Sequence, residues 1–223
     1  MSEQARNPRF SALVFDFDLT LADSTPGFID CHEHAAAALG LPRPEPEAIG
    51  RLIGTPLPLV FIGLYGEEQI GLADEYIRLY QQRADEVMTD LTEMLPGSID
   101  ALLYLQDSGY ALAIVTQKLR YRVEDVLKRE GLLDCFTSII GGEDAPDFKP
   151  DPRGLLLAIE RLEAEPESAL YIGDTAIDAD TARRAGVGFI GVLTGHTEPE
   201  ELMPFRPLAI LDTVAQLPDL LDP

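Results

Sequence analysis

A pair of aspartates two residues apart is the most informative feature of this sequence. Asp16 and Asp18 follow the apolar run 11–15, in the segment Asp16-Phe-Asp-Leu-Thr20. A short run that is apolar throughout is typical of a strand in a parallel α/β sheet, and ligands bind at the carboxyl ends of such strands. Two ionised carboxylates held close together repel each other, so they favour a bound cation or a shared proton. Two solvated acids at a strand end would give the same pattern.

Further polar residues follow other apolar runs. Thr116 follows one run, Asp174 and Asp178 follow another, and Lys149 lies in a loop that flanking prolines stiffen. Each alone has an ordinary explanation as a helix cap, a dipole partner or a solvated charge. Because the carboxyl ends of parallel strands lie at one edge of a sheet, we expect these side chains and the first aspartate pair to share one cleft. The carboxylates would suit Mg²⁺, which prefers oxygen ligands.

Alternating strand and helix patterns predict how those residues are positioned. Predicted strands cover residues 11–15, 110–115, 136–140, 169–172 and 187–192. Predicted helices between the later strands cover residues 98–106, 121–129, 152–162 and 175–185, with Asp151 as N-cap of the third. This alternation predicts an α/β fold with a doubly wound parallel sheet.

The stretch from residue 24 to residue 95 contains no predicted strand. Its predicted helices cover residues 28–39, 47–53, 57–64 and 67–88. A plain loop of this length is rare in a compact domain. The sequence therefore predicts a helical lobe, residues 24–95, inserted into a core formed by residues 1–23 and 96–223.

The order of these motifs resembles the haloacid dehalogenase-like superfamily of phosphotransferases. D-x-D-x-T from Asp16, the threonine at 116, K-P-x-P from Lys149 and G-D-x-x-x-D from Gly173 follow the family's order. The inserted lobe resembles the family's type-1 helical cap, and residues 49–57 resemble the cap segment of phosphoglycolate phosphatases. Dehalogenases of this superfamily lack the second aspartate of the first motif, so Asp18 favours a phosphatase.

The resemblance implies a role for each motif residue. Asp16 would be the nucleophile that forms an aspartyl-phosphate, and Asp18 the general acid and then the general base. Thr116 and Lys149 would hold the phosphoryl oxygens. The implied Mg²⁺ ligands are Asp16, Asp18 through its backbone carbonyl, Asp174 and Asp178.

Other positions bear on specificity. Arg51 in the lobe, and Gln117 and Lys118 at the sheet edge, are candidates for substrate contacts, although each has a structural explanation as well. His32 is predicted to lie on a solvated helix face. The family most often has glycine at the position of Leu19, and we expect the leucine to be tolerated.

Composition limits the partners of the chain. There are 39 acidic and 17 basic residues, a formal net charge of −22 at pH 7. Nucleic acids and anionic membranes select basic surfaces, so they are not expected partners. A small anionic substrate remains compatible, because surface charge is screened over about 8 Å. No signal-peptide pattern is present and the two cysteines have no metal spacing, so we expect a cytoplasmic protein. We expect the chain to be a monomer or a homodimer.

The sequence thus predicts a Mg²⁺-dependent phosphatase of a small phosphorylated metabolite, with 2-phosphoglycolate as the first candidate substrate. A pyrophosphatase, a nucleotidase or a sugar-phosphate mutase would share every motif residue. Two alternatives from other classes are a phosphoaspartate signalling module and a non-catalytic binding protein on the same fold. The signalling module would need neither the inserted lobe nor Asp18.

Overall fold

The computed structural model describes residues 9–221, and the chain separates into two compact units. Unit 1 comprises Met1–Ala22 and Met94–Pro223, and unit 2 comprises Asp23–Glu93. Residues 1–8 and 222–223, which the sequence assigned to the core, lie outside the described residues.

The strands are short and most of them form one parallel sheet. They are β1 (Ala12–Phe15), β2 (Ala22–Asp23), β3 (Glu93–Met94), β4 (Ala111–Val115), β5 (Ser138–Ile140), β6 (Ala169–Gly173), β7 (Gly188–Val192) and β8 (Ala209–Leu211). Six of them form a parallel sheet in the order β5-β4-β1-β6-β7-β8, while β2 and β3 form a two-stranded sheet. Because the chain extends the sheet outward from β1 in both directions, the predicted doubly wound parallel α/β fold is confirmed.

Residues 9–221 also contain ten α-helices. They are α1 (Thr25–Ala38), α2 (Pro46–Gly50), α3 (Leu57–Tyr65), α4 (Ala73–Val87), α5 (Ser98–Asp107), α6 (Arg120–Glu130), α7 (Arg153–Arg161), α8 (Ala176–Ala185), α9 (Pro199–Leu202) and α10 (Leu217–Leu221). Short 3₁₀ helices cover Glu67–Leu72, Leu133–Cys135, Pro166–Ser168, Met203–Phe205 and Val214–Gln216.

The sheet of unit 1 is covered on both faces, which explains its uninterrupted apolar strands. Successive side chains of a strand point to opposite faces. Leu13 and Phe15 of β1 therefore join one hydrophobic cluster, while Ala12 and Val14 join a second one. All four side chains are fully buried, so β1 is fixed at the centre of the core.

Unit 2 contains α1 to α4, and its interior is aromatic. His32 of α1 stacks against Tyr76 of α4 with ring centroids 5.8 Å apart, and it lies 4.5 Å from the ring of Tyr80. Arg83 and Asp30 join the same two helices by an ion pair of 2.6 Å. The prediction that His32 lies on a solvated helix face was therefore wrong. It is fully buried, because α1 turns that face toward α4.

A few elements differ from the sequence expectation. The edge strand β8 was missed, since it has only three residues and each is only partly buried. The strand β3 lies in a stretch predicted to have none. The predicted helix 67–88 begins as a 3₁₀ helix, where Gly71 disfavours α-helix, and continues as α4 from Ala73.

The helix α7 begins at Arg153, one residue later than predicted. The N-cap residue is therefore Pro152 and not the predicted Asp151, although Asp151 Oδ1 accepts a hydrogen bond from Arg153 N at 3.0 Å. Among residues 9–221, no helix combines the length and apolarity that a transmembrane span requires.

Candidate active site

The register of three neighbouring strands places the motif residues at one edge of the sheet. Phe15 of β1 pairs with Ile114 of β4 on one side and with Ile172 of β6 on the other. Asp16, Thr116 and Asp174 are the first residues after these three strands. They therefore emerge side by side at the carboxyl end of the sheet, where ligands bind in folds of this type.

Lys149 connects the nucleophile candidate to the acidic motif that follows β6. Its Nζ lies 2.9 Å from Asp16 Oδ2 and 2.6 Å from Asp178 Oδ1. It also donates a hydrogen bond of 3.1 Å to the hydroxyl of Tyr171. The Lys149 side chain is 6% exposed, so these interactions occur in a site largely shielded from solvent.

Burial and mutual repulsion perturb the protonation of this cluster. Burial is the main cause that raises the pKa of Asp16 to about 7, and Lys149 opposes it only in part. Burial, followed by the charge of Asp178, raises the pKa of Asp174 well above its usual value. Burial alone would lower the pKa of Lys149, but the carboxylates of Asp16 and Asp178 outweigh that effect and raise it. Negative charge thus exceeds positive charge among these groups.

Three of the carboxylates lie close enough together to hold one metal ion. Oxygens of Asp16, Asp174 and Asp178 all lie within 4.8 Å of one another, and all three residues are buried. Oxygen ligands and excess negative charge fit a hard divalent cation such as Mg²⁺.

The three carboxylates are not equivalent, however. Asp178 Oδ1 accepts hydrogen bonds from Lys149 and from Tyr171, and Asp178 Oδ2 accepts bonds from the backbone and hydroxyl of Thr175. With these contacts, Asp178 can hold Lys149 in place at least as well as it can bind a metal.

Asp174 is positioned by two loops of unit 1. Thr20 Oγ1 donates a hydrogen bond of 2.9 Å to Asp174 Oδ1. On the opposite side, a Cβ added to Gly195 would overlap with Asp174 Oδ2, so only glycine leaves space for this carboxylate. The loop of Gly195 is fixed in turn, because Thr194 Oγ1 donates a hydrogen bond to the carbonyl of Leu19.

The backbone after β1 turns sharply between the two aspartates and Thr20. Leu19 has a φ of 58°, in the left-handed region that glycine adopts most easily. This conformation explains why glycine is common at this position in the family that the motifs resemble. The leucine is 7% exposed, so its side chain is buried.

The other candidates from the sequence fall in different places. Asp18 forms a buried ion pair of 2.9 Å with Lys118. Gln117 lines a pocket with Thr116 and Lys149, and its amide nitrogen and oxygen are buried without hydrogen-bond partners among the described residues. Arg51 is an exposed residue of unit 2, at the end of α2.

Two residues of the site were not singled out from the sequence. Tyr171 lies within β6, and its hydroxyl is 2.9 Å from Asp178 Oδ1 and 3.0 Å from the carbonyl oxygen of Val115. Burial, with the charge of Asp178, raises the pKa of Tyr171 well above its usual value, so the hydroxyl stays protonated. A tyrosine in an otherwise aliphatic strand was the available signal. Gly195, the second such residue, gave no signal of its own.

Comparison with known proteins identifies the family. Residues 13–192 match the haloacid dehalogenase-like hydrolase family. This match covers most of the chain, and the chain therefore belongs to that family.

Individual relatives agree with this assignment over nearly the whole chain. Phosphoglycolate phosphatase 1 of Pseudomonas aeruginosa is 32% identical over 217 residues, which are 95% of this chain and 79% of the relative. Phosphoglycolate phosphatase of Cereibacter sphaeroides is 33% identical over 94% of this chain and 96% of its own. A crystal structure from Bacteroides fragilis, described as a haloacid dehalogenase-like hydrolase, has a TM-score of 0.89 and 38% identity, covering 93% of this chain and 99% of that one. The predicted family is confirmed, and so is the prediction that the chain is a phosphatase.

Proposed function

We propose that this chain hydrolyses a small phosphate monoester in a Mg²⁺-dependent reaction through an aspartyl-phosphate on Asp16. The observation that carries the proposal is the buried contact between Asp16 Oδ2 and Lys149 Nζ at 2.9 Å. A free carboxylate would repel a phosphate dianion, and a fixed ammonium beside it offsets that repulsion. The same ammonium is held by Asp178 and Tyr171, so its position does not depend on the substrate.

In the first half of the reaction, an oxygen of Asp16 attacks phosphorus and the bond from phosphorus to the leaving oxygen breaks. Asp18 donates its proton to that oxygen, so that an alcohol leaves. The Thr116 hydroxyl and Lys149 hold equatorial phosphoryl oxygens. Positioning and charge compensation of this kind account for most of the catalysis of phosphoryl transfer.

In the second half, a water molecule attacks the phosphorus of the aspartyl-phosphate. Asp18 accepts a proton from this water, and the bond between phosphorus and the Asp16 oxygen breaks. Inorganic phosphate leaves and both aspartates return to their starting states. General acid–base help of this type contributes about 10²–10⁴-fold.

Asp16 and Asp174, together with the backbone carbonyl of Asp18, are the proposed ligands of Mg²⁺, with Asp178 at the edge of the same site. A bound Mg²⁺ would neutralise charge on the phosphoryl oxygens. Asp174 is prepared for this role by Thr20, whose hydroxyl fixes one of its oxygens.

The substrate proposal starts from the relatives. Their names give phosphoglycolate phosphatase activity, and we propose 2-phosphoglycolate as the first substrate to test. We further propose that unit 2 serves as the cap, with Arg51 as a candidate contact. A cytoplasmic location and a monomeric or homodimeric state remain predictions.

The test is phosphate release by the purified chain with MgCl₂ from 2-phosphoglycolate, pyrophosphate, nucleoside monophosphates and sugar phosphates. We expect 2-phosphoglycolate to give the highest kcat/KM, and chelation of the metal to abolish activity. Asp16→Asn should lose more than about 10³-fold. The matched control is Asp219→Asn, which makes the same change on the exposed surface of α10 and should retain activity.

The alternative activities give different results in the same assay. A mutase would isomerise a sugar phosphate without net release of phosphate, and a pyrophosphatase would prefer pyrophosphate. A signalling module would retain a phosphoryl group on Asp16 for minutes. If wild-type protein releases no phosphate from any ester in the presence of Mg²⁺, the proposal is wrong.

A further inference from the structure

A buried ammonium contacts the proposed acid–base group of this site. Lys118 Nζ lies 2.9 Å from Asp18 Oδ1, and each of the two side chains is 4% exposed. We propose that Lys118 is a positioning residue, which holds the side chain of Asp18 in one place for its acid–base role. The inference rests on the proposed function, and it assigns Lys118 a role other than the substrate contact that the sequence suggested.

The backbone of Lys118 is held on both sides, as a positioning residue requires. Its N–H donates a hydrogen bond of 3.3 Å to Thr116 Oγ1, and its carbonyl accepts a bond of 3.0 Å from Gly142 N. The close approach of these loops depends on glycine, because a Cβ on Gly142 would lie 2.6 Å from the carbonyl oxygen of Gln117. The next turn is also tied down, since Arg120 N donates to Glu143 Oε1 at 3.0 Å.

Lys149 does not make this contact with Asp18. Its Nζ lies 2.9 Å from Asp16 and 2.6 Å from Asp178, on the nucleophile side of the site. An ion pair as buried as that between Lys118 and Asp18 restricts the carboxylate to few orientations, and a misplacement of about 1 Å at a reacting group can cost about 10²-fold.

The role predicts which steps depend on Lys118. Both steps that use Asp18, protonation of the leaving oxygen and activation of water, should slow when Lys118 is removed. Attack by Asp16 on an ester whose leaving group needs no proton, such as 2,4-dinitrophenyl phosphate, should be nearly unaffected. A contact between Lys118 and the substrate would instead raise KM.

The experiment compares Lys118→Met with wild-type protein and with Lys128→Met as matched control. Lys128 lies on the exposed face of α6 and pairs only across that surface, so its removal makes the same chemical change away from the site. We expect Lys118→Met to lower kcat about 10- to 100-fold with little change in KM. With 2,4-dinitrophenyl phosphate, rapid mixing should show a burst of one dinitrophenolate per enzyme, followed by slow turnover. Lys118→Arg should recover part of the loss.

A double-mutant cycle separates this role from a structural one. Asp18→Asn and the double variant Asp18→Asn/Lys118→Met should hydrolyse 2-phosphoglycolate with equal residual kcat, since Lys118 acts through Asp18. The double variant leaves no unpaired charge at this position, which protects folding if Lys118→Met alone is unstable. Circular dichroism checks that each variant is folded.

Three results would overturn the inference. These are a kcat of Lys118→Met within about threefold of wild type, a loss confined to KM, and an equal loss caused by Lys118→Met in the Asp18→Asn background. Failure of the proposed function has a different signature, because wild-type protein itself would then neither release phosphate nor show a burst. That result would remove the basis of this inference together with the proposed function.

Discussion

Gly195 offers a direct way to disturb the proposed metal site without changing any of its carboxylates. In Gly195→Ala, the new Cβ would overlap with Asp174 Oδ2 and lie 2.8 Å from Asp174 Cγ and 3.2 Å from its Cβ. The loop cannot easily retreat, because Thr194 is hydrogen bonded to the carbonyl of Leu19. Asp174 must therefore rotate, and it would lose the 2.9 Å hydrogen bond from Thr20.

The magnitude follows from losing one carboxylate ligand. Loss of a residue that merely orients a metal ligand lowers metal affinity by about 10–100-fold. Displacement of Asp174, which is itself a proposed ligand, should therefore weaken Mg²⁺ binding by at least about 100-fold. That factor corresponds to about 2.8 kcal/mol. Activity at a fixed Mg²⁺ concentration should fall with it and recover in part when Mg²⁺ is raised.

The assay is isothermal titration of metal-free protein with MgCl₂, with circular dichroism to confirm folding. The matched control is Gly71→Ala in unit 2, where an added Cβ would have no heavy atom within 4 Å. This control should bind Mg²⁺ like wild type. A folded Gly195→Ala variant whose Mg²⁺ affinity stays within about threefold of wild type would refute the placement of Asp174 in the metal site.

Three further predictions follow from local features. Because the pKa of Asp16 is raised to about 7, protons compete with the metal, and Mg²⁺ should bind about 10-fold more weakly at pH 6 than at pH 8, as titrations at the two pH values would show. Burial lowers the pKa of His32 from 6.5 to about 3, so the unfolded chain takes up a proton below pH 6.5 while the folded chain does not. This residue should therefore lower the free energy of unfolding of wild-type protein by about 2 kcal/mol between pH 7 and pH 5, which urea unfolding at both pH values would measure. The loss should be absent in His32→Phe and present in His34→Phe, which changes an exposed position of the same helix. Glu163, just beyond α7, has a φ of 53°, a left-handed conformation that is strained for any residue but glycine. Glu163→Gly should therefore raise the melting temperature by about 2–4 °C, and an unchanged melting temperature would show that this position is not strained.

The sequence was sufficient for the parts of the site that follow from strand ends. Asp16, Thr116 and Asp174 each come directly after an apolar run, and the parallel sheet brings such positions together whatever the loops do. The fold class follows from the same alternation. Weak, partly buried elements such as β8 left too little pattern to detect.

The second layer of the site could not be predicted, because it depends on contacts between distant loops. Gly195 matters only because Asp174 occupies the space a Cβ would need. Lys118 matters only because its ammonium reaches Asp18 across two strand ends. Burial of His32 likewise depends on how α1 meets α4, which a single histidine in a helix does not indicate.

The most direct test of the proposed function is the location of the phosphoryl group during turnover. Wild-type protein would be mixed with 2-phosphoglycolate and Mg²⁺, quenched in acid within milliseconds, digested and examined by peptide mass spectrometry. We predict one added phosphoryl group on the peptide that contains Asp16, which disappears as free phosphate accumulates. Phosphate release with the phosphoryl group on another residue, or with no phosphorylated peptide at any time point, would contradict it.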